Sequence, residues 1–351
     1  MSPANPHNSD AVLGENTPRP QNAAVLGGFA GAQQRLSSES LFARLQALKD
    51  GIKYGSDGIN LALQALADPT DEVKKLARKL LLTQAGSDGK AALLEYEPLS
   101  YFTTLADWRW EIYNPKVEIV DPENNAYIIN MTDGLRNYQH YHDLSQFESL
   151  IKDKRIGELQ ALIFQIDSKS KTYSFGIALE AINDARDLFP HLRGLFIGGS
   201  LNHRPEDRKS ELRVFDIRLF LEAFSDLEIL QVYGHFGNSI LECAGIEHQN
   251  LKTLMIETAD ISEENIRQIG AIDMPNLEYF ELWLGAMTDS PAQVVTALEP
   301  ILSGKATPIL KYLGLRGSGN TETLRAEILK TSIVSQLAVL DVNFLIDKLS
   351  R

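Results

Sequence analysis

Histidine, cysteine and paired carboxylates are the side chains from which an active site would be assembled, and in this chain their spacing offers little to build on. The chain has seven histidines and one cysteine. His140-Tyr-His142-Asp143 has a His-x-His spacing that would set two imidazoles on one side of a strand, the beginning of a metal edge. No third ligand stands nearby at a matching spacing, and the segment reads as a solvated loop ahead of a helix start. His191, His203, His235 and His248 fall near turns and show no relation to a serine or to Cys243. Gly314, Gly317 and Gly319 lack the Lys-Ser/Thr partner of a phosphate loop. Cys243 ends the apolar, helix-like stretch Ser239–Cys243 and reads as a buried thiol. Glu263 and Glu264 follow Ser262, where acids complement a helix start. No catalytic, cofactor-binding or metal-ligating residue is assigned from these patterns, and the chain reads as a non-enzyme.

Side chains of a different chemistry do recur at fixed spacing. A Leu-x-x-Leu-x-Leu pattern, with apolar substitutes, begins at Leu159, Leu192, Leu227, Leu251, Leu277, Leu310 and Leu337. On a strand, alternate residues share a face, so the inner leucines of each copy fill a core and the residues between and just beyond them point the other way. The position after the last strand leucine holds Tyr233, Glu257, Trp283 and Arg316 on four consecutive rungs, spaced about 4.8 Å apart. Adjoining rows add Gln231, Met255, Glu281 and Asp341, with Tyr279 and Tyr312 before them. Trp, Tyr and Arg dominate binding hot spots, and Met suits adaptable surfaces. Tyr233, Glu257, Trp283, Arg316, Gln231, Met255, Glu281, Tyr279 and Tyr312 are therefore the expected partner-binding residues. Trp283 and Arg316 are expected to be exposed and cheap to truncate, whereas Leu282 and Leu315 are expected to hold the core.

The copies begin 24 to 35 residues apart. Between them Ile177 to Leu188, Val214 to Phe224, Ser262 to Ile269 and Gln293 to Leu302 show apolar residues three and four apart, the period of a helix. Strand, loop, helix and return thus alternate over residues 159–351, which implies an α/β solenoid with parallel strands on a concave face and helices on the convex one. The asparagine that many such repeats carry three residues beyond the last strand leucine is missing, so the turns must satisfy their backbone groups by another route. Asn250-Leu-Lys-Thr-Leu-Met-Ile-Glu257, Met274 to Gly285 and Leu310 to Ser318 resemble the repeats of a bacterial leucine-rich-repeat family with no assigned reaction. That resemblance implies the solenoid fold and brings no catalytic residue with it.

Three segments precede the repeats. Residues 1–35 are rich in Pro, Asn, Gly and Ala and read as a disordered tail, in which Ala11-Val-Leu-Gly14 recurs as Ala24-Val-Leu-Gly27. Residues 36–95 read as successive helices. Asp68-Pro69-Thr70 breaks one helix and offers Thr70 as the cap of the next, and Val73, Ala77 and Leu80 follow at helical spacing, in the manner of a HEAT-type repeat. Gly55-Ser-Asp-Gly58 and Gly86-Ser-Asp-Gly89 are turn sequences 31 residues apart. With about two helical pairs, fewer than the three or so repeats that stand alone, this segment is expected to lean on the cap and repeats C-terminal to it. Residues 96–158 read as a cap: a β-hairpin made of Lys116–Val120 and Ala126–Ile129 about the turn Asp121–Asn125, then a helix opened by a capping box, Ser145 with Glu148. An alternative reading places an enzyme site in this cap, around Trp108, Trp110 and His140 to Asp143.

The net charge is −13. Residues 101–351 contain 36 acids and 24 bases, so nearly the whole imbalance lies in the cap and repeats. A phosphate backbone or an anionic membrane is disfavoured as a partner, and a neutral or basic protein or peptide is expected. A single cysteine excludes an intramolecular disulfide and suits a reducing, cytoplasmic setting.

Overall fold

The computed structural model describes residues 28–136, 139–168, 176–199, 217–234, 240–258, 261–285, 290–317 and 319–349. Both Ala-Val-Leu-Gly elements, His203 and His235 lie outside the described residues. The chain divides into two compact units, Met1–Tyr101 and Phe102–Arg351.

The first unit is helical: α1 (Gly28–Leu36), α2 (Leu41–Gly51), α3 (Ser56–Ala65), α4 (Asp71–Thr83), α5 (Gly86–Tyr96) and α6 (Pro98–Tyr101). Helix therefore begins at Gly28, ahead of the boundary at residue 35 drawn from composition; α1 packs on α2, with Gly31 and Ala32 buried. Val73, Ala77, Leu80 and Leu81 of α4 share one core with Leu48, Ala62 and Leu93. The two Gly-Ser-Asp-Gly sequences open helices rather than filling turns between them. Gly55 and Gly86 take φ of +60° and +64°, backbone that favours glycine. Gly58 and Gly89 lie so close to the carbonyls of Gly51 and Leu81 that an added Cβ would sit 2.3 and 2.6 Å from them. One local structure is thus used twice. Thr70 occupies the cap position of α4, but its hydroxyl accepts from Arg44 at 2.7 Å and does not cap the helix.

The second unit is built on one sheet, in the order β1-β2-β4-β5-β6-β7-β8-β9-β10-β11, with β3 also paired to β2. Its strands are β1 (Arg109–Ile112), β2 (Asn125–Arg136), β3 (Gln139–Asp143), β4 (Ala161–Ser168), β5 (Gly194–Gly198), β6 (Ile229–Tyr233), β7 (Thr253–Glu257), β8 (Tyr279–Trp283), β9 (Tyr312–Arg316), β10 (Val339–Val342) and β11 (Leu345–Lys348). Among the described residues nine strands are parallel, β1, β2 and β4 to β10, while β3 and β11 are antiparallel additions at the two ends; the sheet does not close into a barrel. Between the strands lie α7 (Ser145–Leu150), α8 (Gly176–Asp184), α9 (Arg218–Ala223), α10 (Glu263–Gly270), α11 (Pro291–Ala297), α12 (Glu299–Leu302) and α13 (Thr321–Ile328). Among the described residues no helix is long and apolar enough to cross a membrane.

The repeat register read from the leucines is the one observed. Leu230 pairs with Leu254, Ile256 with Leu282, and Leu282 with Leu315. These side chains join Ile266, Ile269, Val294, Ala297, Leu324 and Ile328 of the helices in one continuous core. Part of the backbone route that replaces the missing asparagine lies before strands β7, β8 and β10, and part lies after β10, where Asn343 Oδ1 accepts from the Gly317 N–H. Asn250 Nδ2 donates to the Ser225 carbonyl at 3.0 Å, Asn276 Nδ2 to Gln249 at 2.7 Å, and Gln336 Nε2 to Thr307 at 2.8 Å, each tying one repeat to its predecessor. Cys243 is buried, as expected, but outside any helix; its N–H donates to Gln268 Oε1.

The cap differs from its sequence reading. Lys116–Val120 forms no strand, and the hairpin expected over 116–129 is replaced by β2 and β3. The strand beside β2 at that level is β1, and it runs parallel. The reason is visible at Tyr127, whose hydroxyl donates to the Val120 carbonyl and accepts the Val120 N–H, both at 2.7 Å, holding residues 117–120 as a loop over the end of the core. Ser145 does not cap α7 either; Asp143 Oδ1 accepts from both its N–H and its hydroxyl, at 3.1 and 2.6 Å.

Candidate binding face

The face of the sheet turned away from the helices carries three rows of side chains. The first row reads Ala126, Ala161, Gly194, Ile229, Thr253, Tyr279, Tyr312 and Val339, one residue from each strand in register. This row is occupied by the chain itself. Phe102 sits edge-on against Tyr279 and Tyr312, with ring centroids 5.3 and 5.8 Å away, and those two phenols stack at 4.1 Å. Thr253 Oγ1 donates to the Thr103 carbonyl at 2.6 Å. Leu105 and Trp108 settle over the small end of the row, where a Cβ on Gly194 would meet them at 3.0 and 3.3 Å. Residues 102–108 thus form a strap across the strands, and a second apolar cluster of Leu105, Trp108, Ala126, Ala161, Ile163, Phe196, Ile229 and Tyr233 lies beneath it.

At the far end the second and third rows hold a buried ionic network. Glu281 accepts from the Tyr279 hydroxyl at 2.7 Å and from Trp283 Nε1 at 2.8 Å. Arg316 pairs with Asp341 through Nη1 and with Glu281 through Nη2 at 3.3 Å, and it donates to the Tyr312 hydroxyl at 2.9 Å. That hydroxyl in turn donates to Asp341 Oδ2 at 3.0 Å. Phe344 covers the guanidinium, its ring centroid 4.3 Å from Cζ. Gly314 leaves the space this needs: a Cβ there would lie 2.9 Å from Tyr312 Cε1 and 3.1 Å from Glu281 Cγ. Burial and the Glu281 charge push both phenols well above the usual tyrosine range, so they stay protonated and donate. Burial alone would lower the guanidinium's affinity for its proton, but the Asp341 hydrogen bond and the Glu281 charge hold it above the ordinary value.

The nine expected partner-binding residues therefore separate by depth. Tyr233, Tyr279, Glu281, Tyr312 and Arg316 are buried; Arg316, expected to be exposed, retains 5% of its surface. Gln231, Met255, Glu257 and Trp283 are half-buried and stand on the adjacent strands β6, β7 and β8. Sequence reasoning did not find the strap, although Phe102, Leu105 and Trp108 recur every third residue and the first row narrows to Ala, Ala and Gly where the strap is bulkiest.

A ladder of opposite charges, also missed, runs along the residues that precede the strands. Glu228 lies between Arg193 and Lys252, at 2.8 and 2.9 Å. Partial burial would raise its pKa, but hydrogen bonds from both cations hold the carboxyl below its usual range. A cavity of about 300 Å³ opens beside it, lined by Gln160, His191, Arg193, Asp226, Glu228 and Asn250. His248 is buried nearby, its Nδ1 accepting from Leu251 N–H and its Nε2 bonded to the Phe224 carbonyl, both at 3.1 Å. Of the alternative enzyme site, Trp108 is buried and donates to the Glu123 carbonyl, while the side chains of His140 and His142 lie outside the described residues. Among the described residues no group of three or more His, Cys, Asp or Glu is placed to hold a metal ion.

No family model matches the sequence, and no curated protein matches it. Among solved structures, a Bacteroides fragilis protein determined by a structural genomics consortium is similar over 55% of this chain at 22% identity, with a TM-score of 0.46; the similarity spans about half, 53%, of that protein.

Proposed function

We propose that residues 159–351 are a leucine-rich-repeat solenoid, preceded by HEAT-like helices, and that the chain is a noncatalytic protein-interaction module or scaffold working in the cytoplasm. Its contact surface is the half-exposed part of the strand face: Gln231, Met255, Glu257 and Trp283. The observation that carries this reading is Trp283, a large aromatic left half-open at a point where its indole is fixed from below by Glu281. A rigid, partly open Trp beside an adaptable Met and an acid is the composition of a binding hot spot. The charge imbalance favours a neutral or basic protein or peptide as partner. The test is affinity capture with mass spectrometry, using the intact chain and its Trp283→Ala and Met255→Ala variants as bait. A partner recovered by the intact chain and lost from both variants supports the surface; equal recovery with all three refutes it.

A further inference from the structure

The sheet ends in β1, and among the described residues no strand pairs with its outer edge. The β1 side chains are all exposed. The N–H groups of Arg109 and Tyr113 donate inward, to the carbonyls of Asn124 and Ile128, at 2.8 and 3.0 Å. Alternation along the strand then directs the N–H and C=O of Trp110 and Ile112 to the open edge. Trp110 lies beside Ala126 and Ile112 beside Ile128, so both side chains continue the helix-free face, and they remain 47% and 68% exposed. Val117 and Val120, in the loop after β1, are exposed as well. Edge strands are usually blunted by proline, lysine or a bulge; this one offers Arg109-Trp110-Glu111-Ile112.

The sequence of the edge says what fits it. In an antiparallel pair of two such strands centred on Trp110, the two Trp110 residues exchange both backbone hydrogen bonds. Arg109 then falls directly opposite Glu111 of the other copy, twice, on the face away from the tryptophans. Those flanking positions form the closer, non-hydrogen-bonded type of pair, where opposite charges attract most and like charges repel. Arg109 is bonded to Asn125 of the neighbouring β2 and to Asp121, with its side chain still 60% exposed to reach a second copy. The arrangement is self-complementary, as a two-fold interface requires. We propose that the open edge of β1 is a homodimer interface in which two copies of this chain pair antiparallel about Trp110, joining their sheets into one.

Sedimentation velocity on the full chain, from about 1 to about 100 µM, tests this directly. The intact protein should move from monomer to dimer across that range. Glu111→Arg, which sets arginine against arginine, should weaken the dimer at least about tenfold, and Arg109→Glu with Glu111→Arg together should restore it. As an independent measure, Trp110→Cys should form a disulfide between copies under mild oxidation, because the paired positions face each other across the two-fold, while Val120→Cys should not. A monomer at every concentration, an unweakened Glu111→Arg dimer, or a Trp110→Cys chain that crosslinks no faster than Val120→Cys would overturn the proposal.

Discussion

At Arg316 a guanidinium is enclosed by two carboxylates and a phenol, so removing it strands Glu281 and Asp341 as buried charges without their cation. Breaking such a set by deleting one partner typically costs ~3–5 kcal/mol. Arg316→Ala should lose stability on that scale in urea unfolding, whereas Trp283→Ala, giving up the indole bond to Glu281 and the edge contact with Phe344 from a half-open side chain, should lose about 1–2 kcal/mol. Gly314→Ala should cost about 1–3 kcal/mol, since its methyl group would press on Tyr312 and Glu281. His248 gives a pH signature. Burial lowers its pKa from the ordinary 6.5, with its backbone bonds opposing that shift only in part. The folded chain therefore resists protonation more than the unfolded chain does. The stability this contributes is complete above pH 6.5 and falls away as the pH drops through the lowered folded value. Melting curves from pH 8 to 5 should show that decline begin near 6.5 in the intact protein, and His248→Ala should flatten it. At this scale the sequence was legible in direction but not in depth. Alternation placed Arg316, Trp283 and their neighbours on the correct face, yet period two carries no information about what lies on that face, and Arg316 was misread as exposed for that reason.

Among the elements, the strap over residues 102–108 does most to organise the face. Phe102 retains 1% of its surface and leans on two stacked tyrosines, so Phe102→Ala should cost ~3–5 kcal/mol. Its loss should also raise hydrogen exchange at the backbone amides of Thr253 and Tyr279, an effect that Leu99→Ala, on a side chain 51% exposed, should not reproduce. The seven repeat strands were legible because each puts two apolar side chains into the core at fixed spacing. Helices such as α4, α8, α10 and α11 were legible from apolar residues three and four apart, whereas α1 was missed and the helix-like stretch ending at Cys243 forms no helix over its described residues, 240–243. The strap was not legible, because it makes no regular backbone pattern of its own; its signal lies in the small residues Ala126, Ala161 and Gly194 of strands far apart in sequence. The hairpin failed for a related reason. Lys116–Val120 alternates like a strand, but the Tyr127 hydroxyl takes both backbone groups of Val120, and β1 takes the place beside β2.

Among the described residues of the second unit, two surfaces of different chemistry stand out: a half-open patch around Trp283 above an ionic foundation, and the edge of β1, with which no described strand pairs. The excess of acids over residues 101–351 predicts that capture of a basic partner at the Trp283 patch weakens as ionic strength rises from about 0.05 to about 0.5 M, where the screening length shrinks to a few ångströms. The most direct measurement of the proposed binding role pairs stability with recovery on the same samples: melting temperature and partner recovery for the intact chain, Trp283→Ala, Leu282→Ala and Arg316→Ala. Trp283→Ala should keep nearly the intact melting temperature and lose the partner, while Leu282→Ala and Arg316→Ala should both melt early. A Trp283→Ala protein that melts as early as Leu282→Ala, or that retains the partner in full, would contradict that role.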